Sequence, residues 1–132
     1  MGRAVTIVLP SATALVLLSG AALAQNDVSP DEARLAFNNH CRTCHVTNEG
    51  DHRLGPSLHN IVGREAGSVP GFAYSSAMRD STVVWDEENL DRYIDNPDAV
   101  VPGNNMKPYS GITDAAERAR IIAHLKAESD GQ

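Results

Sequence analysis

The spacing of apolar residues predicts three helices in this chain, and the first of them starts near position 30. Residues 29–32, Ser-Pro-Asp-Glu, contain an N-cap serine, a proline at the first helical position and a glutamate that completes a capping box. Ala33, Ala36 and Phe37 then recur at helical spacing and form a small apolar face. This helix is expected to run directly into Cys41.

Two more helices are expected in the second half of the chain. Residues 86–96 begin with three acidic side chains, place apolar residues on one face and end before Pro97. The last helix is predicted to have Thr113 as its N-cap, with apolar residues at positions 115, 119, 121, 122 and 125. No segment alternates in the manner of a β-strand, so the fold class is predicted to be all-α, with three to five helices.

Long loops occupy the rest of the chain. Glycine and proline interrupt residues 46–81 repeatedly, and only one short helical turn, after Pro56, is expected there. A second loop covers residues 98–111. Three helices with so much loop make a poor hydrophobic core on their own. A large apolar cofactor is therefore expected at the centre, with the loops wrapped around it.

The N-terminal segment has the features of a secretory signal peptide. A positive charge precedes an apolar run at residues 4–18, and the small residues Ala22 and Ala24 mark a cleavage site. The run is shorter than the about 20 apolar residues of a membrane span. We interpret residues 1–24 as a signal peptide and residues 25–132 as a single domain exported to the periplasm. A membrane tether formed by an uncleaved segment is the alternative.

The overall charge of the chain is acidic. It carries 11 Lys and Arg residues against 17 Asp and Glu residues, a net charge of −6, and loss of Arg3 with the signal peptide makes this about −7. Such a charge argues against a nucleic-acid surface. The partners of an acidic exported protein are expected to be small molecules or basic patches on other proteins.

Residues 41–45, Cys-Arg-Thr-Cys-His, carry the strongest chemical signal in the sequence. A thioredoxin-like redox pair expects a βαβ setting that the pattern does not show, and a structural zinc site needs more than two cysteines. A disulfide between Cys41 and Cys44 would close a very short loop and constrain little. Covalent attachment of one c-type haem through both thiols, with His45 as an iron ligand, accounts for both cysteines and for the histidine that follows them.

The second axial ligand decides what such a haem does, because a closed iron passes electrons and an open iron binds oxygen, peroxide or carbon monoxide. Met106 is the favoured candidate, since it lies in a Pro/Gly/Asn loop with no helical face to fill. Met78 fits the ordinary role of a methionine that fills a gap in the core. The other candidates in the exported chain are the histidines at positions 40, 52, 59 and 124.

Further motifs follow one another along nearly the whole of residues 25–132. They are the helix ending in Phe37 before CRTCH, then GPSLHNIVGR, GFAYSSAM, Trp85, YIDNPDAVVPGNNM and the helix containing IIAHLK. In this order they closely resemble the motifs of the class I cytochromes c, of the mitochondrial type and its soluble bacterial relatives. The resemblance implies a small cytochrome c fold around one covalent haem, in which the first and last helices cross.

The resemblance also implies roles for individual residues. Cys41 and Cys44 bind the haem covalently, and His45 and Met106 ligate its iron. The other implied cofactor-binding residues are Pro56, whose carbonyl orients the His45 imidazole, Arg64, Tyr74 and Trp85, which surround a buried haem propionate, and Tyr93, which lies near the Met106 sulfur.

The function implied by the resemblance is that of a one-electron carrier and not of an enzyme. The expected role is to shuttle electrons, as a monomer, between a respiratory or photosynthetic complex or a periplasmic dehydrogenase and an acceptor such as a terminal oxidase or reductase. Two rival interpretations remain at this point. One is a haem enzyme or gas-binding protein with an open iron, and the other is a subunit that works only inside a larger complex.

Several positions depart from the family pattern. Ala33 stands where the family commonly has glycine at the helix crossing and His124 where it commonly has an aromatic residue, which predicts a looser crossing. Met78 stands at a position near the haem that is often polar. The segment after the methionine ligand is one residue longer than usual, so either Pro108 or Tyr109 covers the haem edge.

The basic residues around the expected haem edge are also few. Most of the lysines that ring this edge in mitochondrial members are missing, so a strongly acidic docking patch is not the expected partner. Arg42, Arg53 and Lys107 are the local basic residues that could still serve a small acidic patch.

Overall fold

The computed structural model describes residues 1–2 and 27–131, so the proposed signal peptide lies outside the described residues apart from its first two positions. No helix in the described part is long and apolar enough to cross a bilayer. These residues form five helices and one isolated bridge between Glu65 and Val84, which confirms the all-α class. The helices are α1 (Pro30–His40), α2 (Ser76–Arg79), α3 (Glu87–Asp95), α4 (Pro97–Val100) and α5 (Ala115–Asp130).

Helix α1 begins with the capping box that the sequence predicts. The backbone N–H of Glu32 donates to the Ser29 hydroxyl, and the Glu32 carboxylate accepts from the Ser29 backbone N–H at 3.2 Å. At the other end, the backbone N–H of Cys41 donates to the carbonyl of Phe37 at 2.8 Å. The helix therefore leads directly into the CRTCH motif.

Helix α3 also forms as predicted, and two short helices that the sequence does not predict accompany it. The carboxylate of Asp86 accepts from the backbone N–H of Asn89 at 2.7 Å and caps α3. Pro97 ends α3 and also opens α4, because proline suits the first position of a helix. Helices α2 and α4 have only four residues each, too few to show an apolar period.

The helical turn predicted after Pro56 is not formed. Two turns occur there instead, closed by hydrogen bonds from Ile61 N–H to the Leu58 carbonyl and from Arg64 N–H to the Ile61 carbonyl. Asn60, within the first turn, has a left-handed φ of 48°, which a right-handed helix does not accommodate. The segment is therefore a loop that reverses direction twice.

Helix α5 begins one residue later than predicted. The carboxylate of Asp114, and not the hydroxyl of Thr113, caps it by accepting from the backbone N–H groups of Ala116 and Glu117 at 2.9 and 3.3 Å. A threonine directly before an aspartate leaves two candidate caps in the sequence, and the carboxylate reaches both free N–H groups. The prediction of Thr113 as the N-cap was therefore wrong.

The buried face of α5 also differs from the predicted one near its start. Ala115 and Ala119 are exposed, whereas the Arg118 side chain is only 11% exposed. Its guanidinium donates to Asp91 and Asp95 of α3, at 2.7 and 3.2 Å, and to two carbonyls just before α5. Because each of the three guanidinium nitrogens has an acceptor, a charged residue is buried where the apolar pattern placed alanines.

Helices α1 and α5 cross as the resemblance implies. Ala33 and Phe37 of α1 are each 4% exposed at this crossing, and Ile121 of α5 is completely buried. The imidazole of His124 lies against the Phe37 ring, with centroids 4.6 Å apart, a separation that suits an aromatic pair. His124 therefore takes the place of an aromatic side chain, and the crossing is closely packed despite the two departures from the family pattern.

We expect His124→Phe to reduce the pH dependence of stability. Burial lowers the pKa of His124; the Glu128 carboxylate on α5 opposes this shift, and Arg34 on α1 adds to it. Because folding disfavours the imidazolium, the stabilisation is complete above the ordinary pKa of about 6.5 and is lost as the pH falls below it. Denaturant unfolding at about pH 5 and about pH 7.5 should show a larger loss in the wild type than in the variant. Equal losses would contradict the expectation.

Candidate functional site

The CRTCH motif forms a single tight turn at the end of α1. The backbone N–H groups of Cys44 and His45 both donate to the carbonyl of Cys41, at 3.0 and 2.9 Å. Both cysteines are free thiols and partly buried, so the structure contains no disulfide between them. Burial raises the pKa of the Cys41 thiol to about 12. The turn thus presents two sulfur atoms and an imidazole within five consecutive residues.

His45 is held in the tautomer that an iron ligand needs. Its side chain is buried, and Nδ1 lies 2.8 Å from the carbonyl oxygen of Pro56. A carbonyl can only accept, so the proton must be on Nδ1 and the lone pair on Nε2. Burial lowers the pKa of His45, which also favours the neutral ring. The Pro56 carbonyl thus contacts the His45 ring, and its role in orienting an iron ligand stays a prediction.

Gly55 leaves the space that the His45 ring occupies. A Cβ at position 55 would lie 2.2 Å from Cε1 of His45 and 2.7 Å from each ring nitrogen. The backbone N–H of Gly55 donates to the carbonyl of Cys44 at 2.8 Å, which holds the two segments together. The sequence analysis did not single out Gly55. Its one signal was a glycine directly before Pro56, which permits a close approach of backbone to side chain.

Arg64 has one buried donor without a partner. Its Nη1 and Nη2 donate to the carbonyls of His59 and Ser57 at 2.7 and 3.0 Å, while Nε is buried and makes no hydrogen bond within the described residues. Burial lowers the pKa of Arg64, and the nearby Tyr74 phenol opposes that shift. A buried donor of this kind needs an acceptor. A haem propionate is an acceptor of the right charge, so these residues fit the cofactor.

Trp85 and Tyr93 form an aromatic pair beside Arg64. Their ring centroids are 4.8 Å apart, and both residues are buried. The backbone N–H of Trp85 donates to the carbonyl of Arg64 at 2.8 Å. Burial raises the pKa of Tyr93, so its hydroxyl stays protonated and remains a donor. Both rings belong to the hydrophobic core, against which Cys41, Tyr74 and Met106 also pack.

Met106 lies in a loop that Asn104 holds in place. The buried side chain of Asn104 accepts from the backbone N–H of Met106 at 3.0 Å and donates to Asp98 and to the Val101 carbonyl, each at 2.9 Å. Met106 itself is partly buried against the core. The sequence analysis missed Asn104, whose only signal was an asparagine two positions before the methionine.

The other candidate ligands are engaged elsewhere. His52 contacts the Pro70 carbonyl and the Ser57 N–H, His59 contacts the Thr47 carbonyl, and the two remaining histidines contact Glu117 and Phe37. Met78 is 8% exposed inside the core, in agreement with the gap-filling role.

Of the two residues after the methionine loop, Tyr109 packs on the core and donates to the Ile94 carbonyl, while Pro108 is exposed.

Comparison with known proteins is consistent across sequence and structure. The Cytochrome c family profile matches residues 31–128. A cytochrome c of Euglena viridis is 35% identical over 100 residues, which cover 76% of this chain and 97% of the relative. Cytochrome c2 of Rhodomicrobium vannielii is 45% identical over 89 residues, with coverage of 67% and 70%. Cytochrome cH from Methylobacterium extorquens superimposes with a TM-score of 0.68 at 34% identity, over 75% of this chain and 98% of that chain.

These matches agree with the chemistry of the site. Members of the family bind one covalent haem c, and Cys41 and Cys44 fit the motif through which it is attached. The free thiols, the oriented imidazole and the unpartnered Arg64 donor are all compatible with that group. The chain belongs to the class I cytochromes c, a family of haem-containing electron carriers and not of enzymes.

Proposed function

We propose that this protein is a one-electron carrier whose iron is held by His45 and Met106. The main support for this proposal is the position of the Met106 loop, in which the Asn104 side chain accepts a hydrogen bond from the Met106 backbone. Each of the competing histidines contacts another group. A haem with histidine and methionine ligands supplies a one-electron iron couple in which the soft thioether favours the ferrous state.

The chain contributes rigidity on both sides of the iron. The Pro56 carbonyl prevents the His45 ring from rotating, and the side chain of Asn104 fixes the Met106 backbone. Both supports lie in the partly buried interior, where a well-formed hydrogen bond is costly to break. The ligands are therefore expected to move little when the oxidation state changes, which suits electron transfer better than binding of an external ligand.

The remaining residues of the site have supporting roles in this proposal. Cys41 and Cys44 form the thioethers. Arg64, whose buried Nε has no partner among the described residues, would donate to a haem propionate, and the Tyr74 phenol opposes the burial-induced lowering of the Arg64 pKa. Trp85 is joined to Arg64 through the backbone, and Tyr93, whose hydroxyl stays protonated because burial raises its pKa, would lie near the Met106 sulfur as the family resemblance implies. Burial by these groups also excludes water, which raises the reduction potential.

Met106→Ala is expected to leave one coordination position of the haem iron free for an external ligand. The oxidised wild type should show the weak long-wavelength sulfur-to-iron charge-transfer band, and its reduced form should not respond to carbon monoxide. The variant should lose the band and bind carbon monoxide, because alanine has no sulfur to offer. Met78→Leu, which replaces the buried core methionine, is the matched control and should keep the band. A wild type that lacks the band and binds carbon monoxide would overturn the carrier proposal in favour of a ligand-binding protein.

We also propose that the protein is exported to the periplasm, with residues 1–24 removed as a signal peptide and residues 25–132 acting as a monomeric domain. Its donor would be a respiratory or photosynthetic complex or a periplasmic dehydrogenase, and its acceptor a terminal oxidase or reductase. The N-terminal sequence pattern supports export. The intact mass of the purified protein tests this, since a mass that retains the apolar segment would instead indicate a membrane-tethered form.

A further inference from the structure

The surface next to the two proposed ligands consists of three segments that lie together. We call residues 41–44, 53–56 and 106–109 the ligand-flanking surface. The Gly55 N–H donates to the Cys44 carbonyl, which joins the first two segments. Cys41, Met106 and Tyr109 pack against the same hydrophobic core, which places the first and third segments on that core. Electrons are expected to enter and leave here, because transfer weakens steeply with distance from the iron.

The basic side chains of this surface are neutralised by the chain itself. Arg53 forms two hydrogen bonds to the carboxylate of Asp51, both at 2.8 Å, and Lys107 lies 2.6 Å from the carboxylate of Asp98. Exposed pairs of this kind contribute little stability. They nevertheless place a negative charge beside each positive one, so Arg53 and Lys107 do not form the small basic patch that the sequence alone suggested.

The negative charge of the protein is concentrated elsewhere. The ligand-flanking surface, counted with its two pairing carboxylates, has a net charge of about +1 from Arg42, against about −7 for the whole exported chain. Asp80, Asp86 and Glu88, near α2 and α3, are exposed acidic side chains. A basic partner would be drawn to those residues, which lie outside the ligand-flanking surface, and an acidic partner would be repelled by the overall charge.

An exposed apolar side chain lies within the ligand-flanking surface. Leu54, between Arg53 and Gly55, is 79% exposed. One exposed leucine is ordinary on a protein surface. Its position is what matters, because it is one residue from the glycine that touches the His45 ring.

We propose that the ligand-flanking surface docks a redox partner protein whose own docking face is uncharged and apolar, with Leu54 at the contact. The inference rests on the proposed carrier function and adds the chemistry of the partner. Association of this kind depends on short-range apolar contact, so its rate should depend only weakly on ionic strength.

Electrodes that imitate the three classes of partner surface provide the test. The haem-bound protein is placed on gold coated with monolayers that end in mixed methyl and hydroxyl groups, in carboxylates, or in amines. We expect the interfacial electron-exchange rate constant to be about tenfold higher on the methyl/hydroxyl surface than on either charged surface at low salt. On that surface it should change by less than about twofold between low and physiological ionic strength.

Three variants make the test specific. Leu54→Ser should slow exchange on the methyl/hydroxyl surface severalfold, because the contact loses its apolar side chain. Asp51→Asn releases Arg53 and should speed exchange on the carboxylate surface, whereas Asp80→Asn makes the same charge change outside the ligand-flanking surface and should not. Asp98 is left unchanged because it also supports Asn104.

Faster wild-type exchange on the carboxylate or amine surface, or no exchange on the methyl/hydroxyl surface, would overturn the docking inference. An equal effect of Asp51→Asn and Asp80→Asn would do the same, because the overall charge and not the local pairing would then control the encounter. Failure of the carrier proposal is separately visible in the same sample, as a missing charge-transfer band and carbon monoxide binding by the reduced protein.

Discussion

Gly55→Ala is expected to displace the His45 imidazole and to lower the free energy of unfolding by about 2–5 kcal/mol. The new Cβ would lie 2.2 Å from Cε1 of the ring, far inside van der Waals contact. The ring cannot move aside without breaking its 2.8 Å hydrogen bond to the Pro56 carbonyl. The free-energy costs of overpacking and of losing a buried hydrogen bond therefore add together at this one position.

The measurement for Gly55→Ala combines denaturant unfolding with the visible spectrum of the haem-bound protein, because the variant should lose both stability and normal ligation. Gly50→Ala is the control. A Cβ there would meet nothing within 4 Å, although the φ of 68° makes alanine strained by about 1–2 kcal/mol. The control should lose some stability and keep the wild-type spectrum. A Gly55→Ala protein with wild-type spectrum and stability would show that the backbone does not confine the imidazole.

Phe37→Ala is expected to lower the free energy of unfolding by about 3–5 kcal/mol, the usual cost of removing a buried phenylalanine. Phe37 is 4% exposed, lies against His124, and belongs to the same core as the fully buried Ile121. Its carbonyl also accepts the Cys41 N–H at the end of α1. Loosening the crossing should therefore also loosen the start of the haem-binding motif.

Denaturant unfolding of the haem-bound protein tests Phe37→Ala, with Leu35→Ala as the matched control. Leu35 lies on the same helix but is 59% exposed, so its loss should change the free energy of unfolding by less than about 1 kcal/mol. Hydrogen exchange of the amides at positions 41–45 should also be faster in the Phe37 variant than in the control. Similar losses in the two variants would mean that the crossing of α1 and α5 contributes little to stability.

Features with a local cause were predictable from the sequence. The capping box of Ser29 and Glu32 joins residues three positions apart, and so does the Asp86 cap of α3. The CRTCH turn is equally local, since its hydrogen bonds join Cys41 to residues three and four positions on. Local signals were insufficient where two residues could serve the same purpose, as at the start of α5, where Asp114 caps the helix in place of Thr113.

Features that depend on contacts between distant residues were not predictable in the same way. Gly55 matters because the ring of His45, ten positions earlier, occupies the space beside it. Arg118 is buried because two carboxylates of α3 and two carbonyls meet it, although a charged residue in an apolar pattern is normally exposed. Neither partner set can be recognised before the elements are packed together.

By itself, the sequence determined the all-α class and the haem-binding motif, because residue type and short spacing are enough to specify helix caps and a CxxCH motif. The assignment of His45 and Met106 as iron ligands stays a prediction. Only the tertiary structure decided that Arg64 has a buried donor with no partner in the described part of the chain and that Asn104 holds the Met106 loop. It likewise decided that Arg53 and Lys107 are neutralised by neighbouring carboxylates. Hydrogen bonds and local charge depend on which groups lie within a few ångströms, and that distance is set by how the whole chain folds.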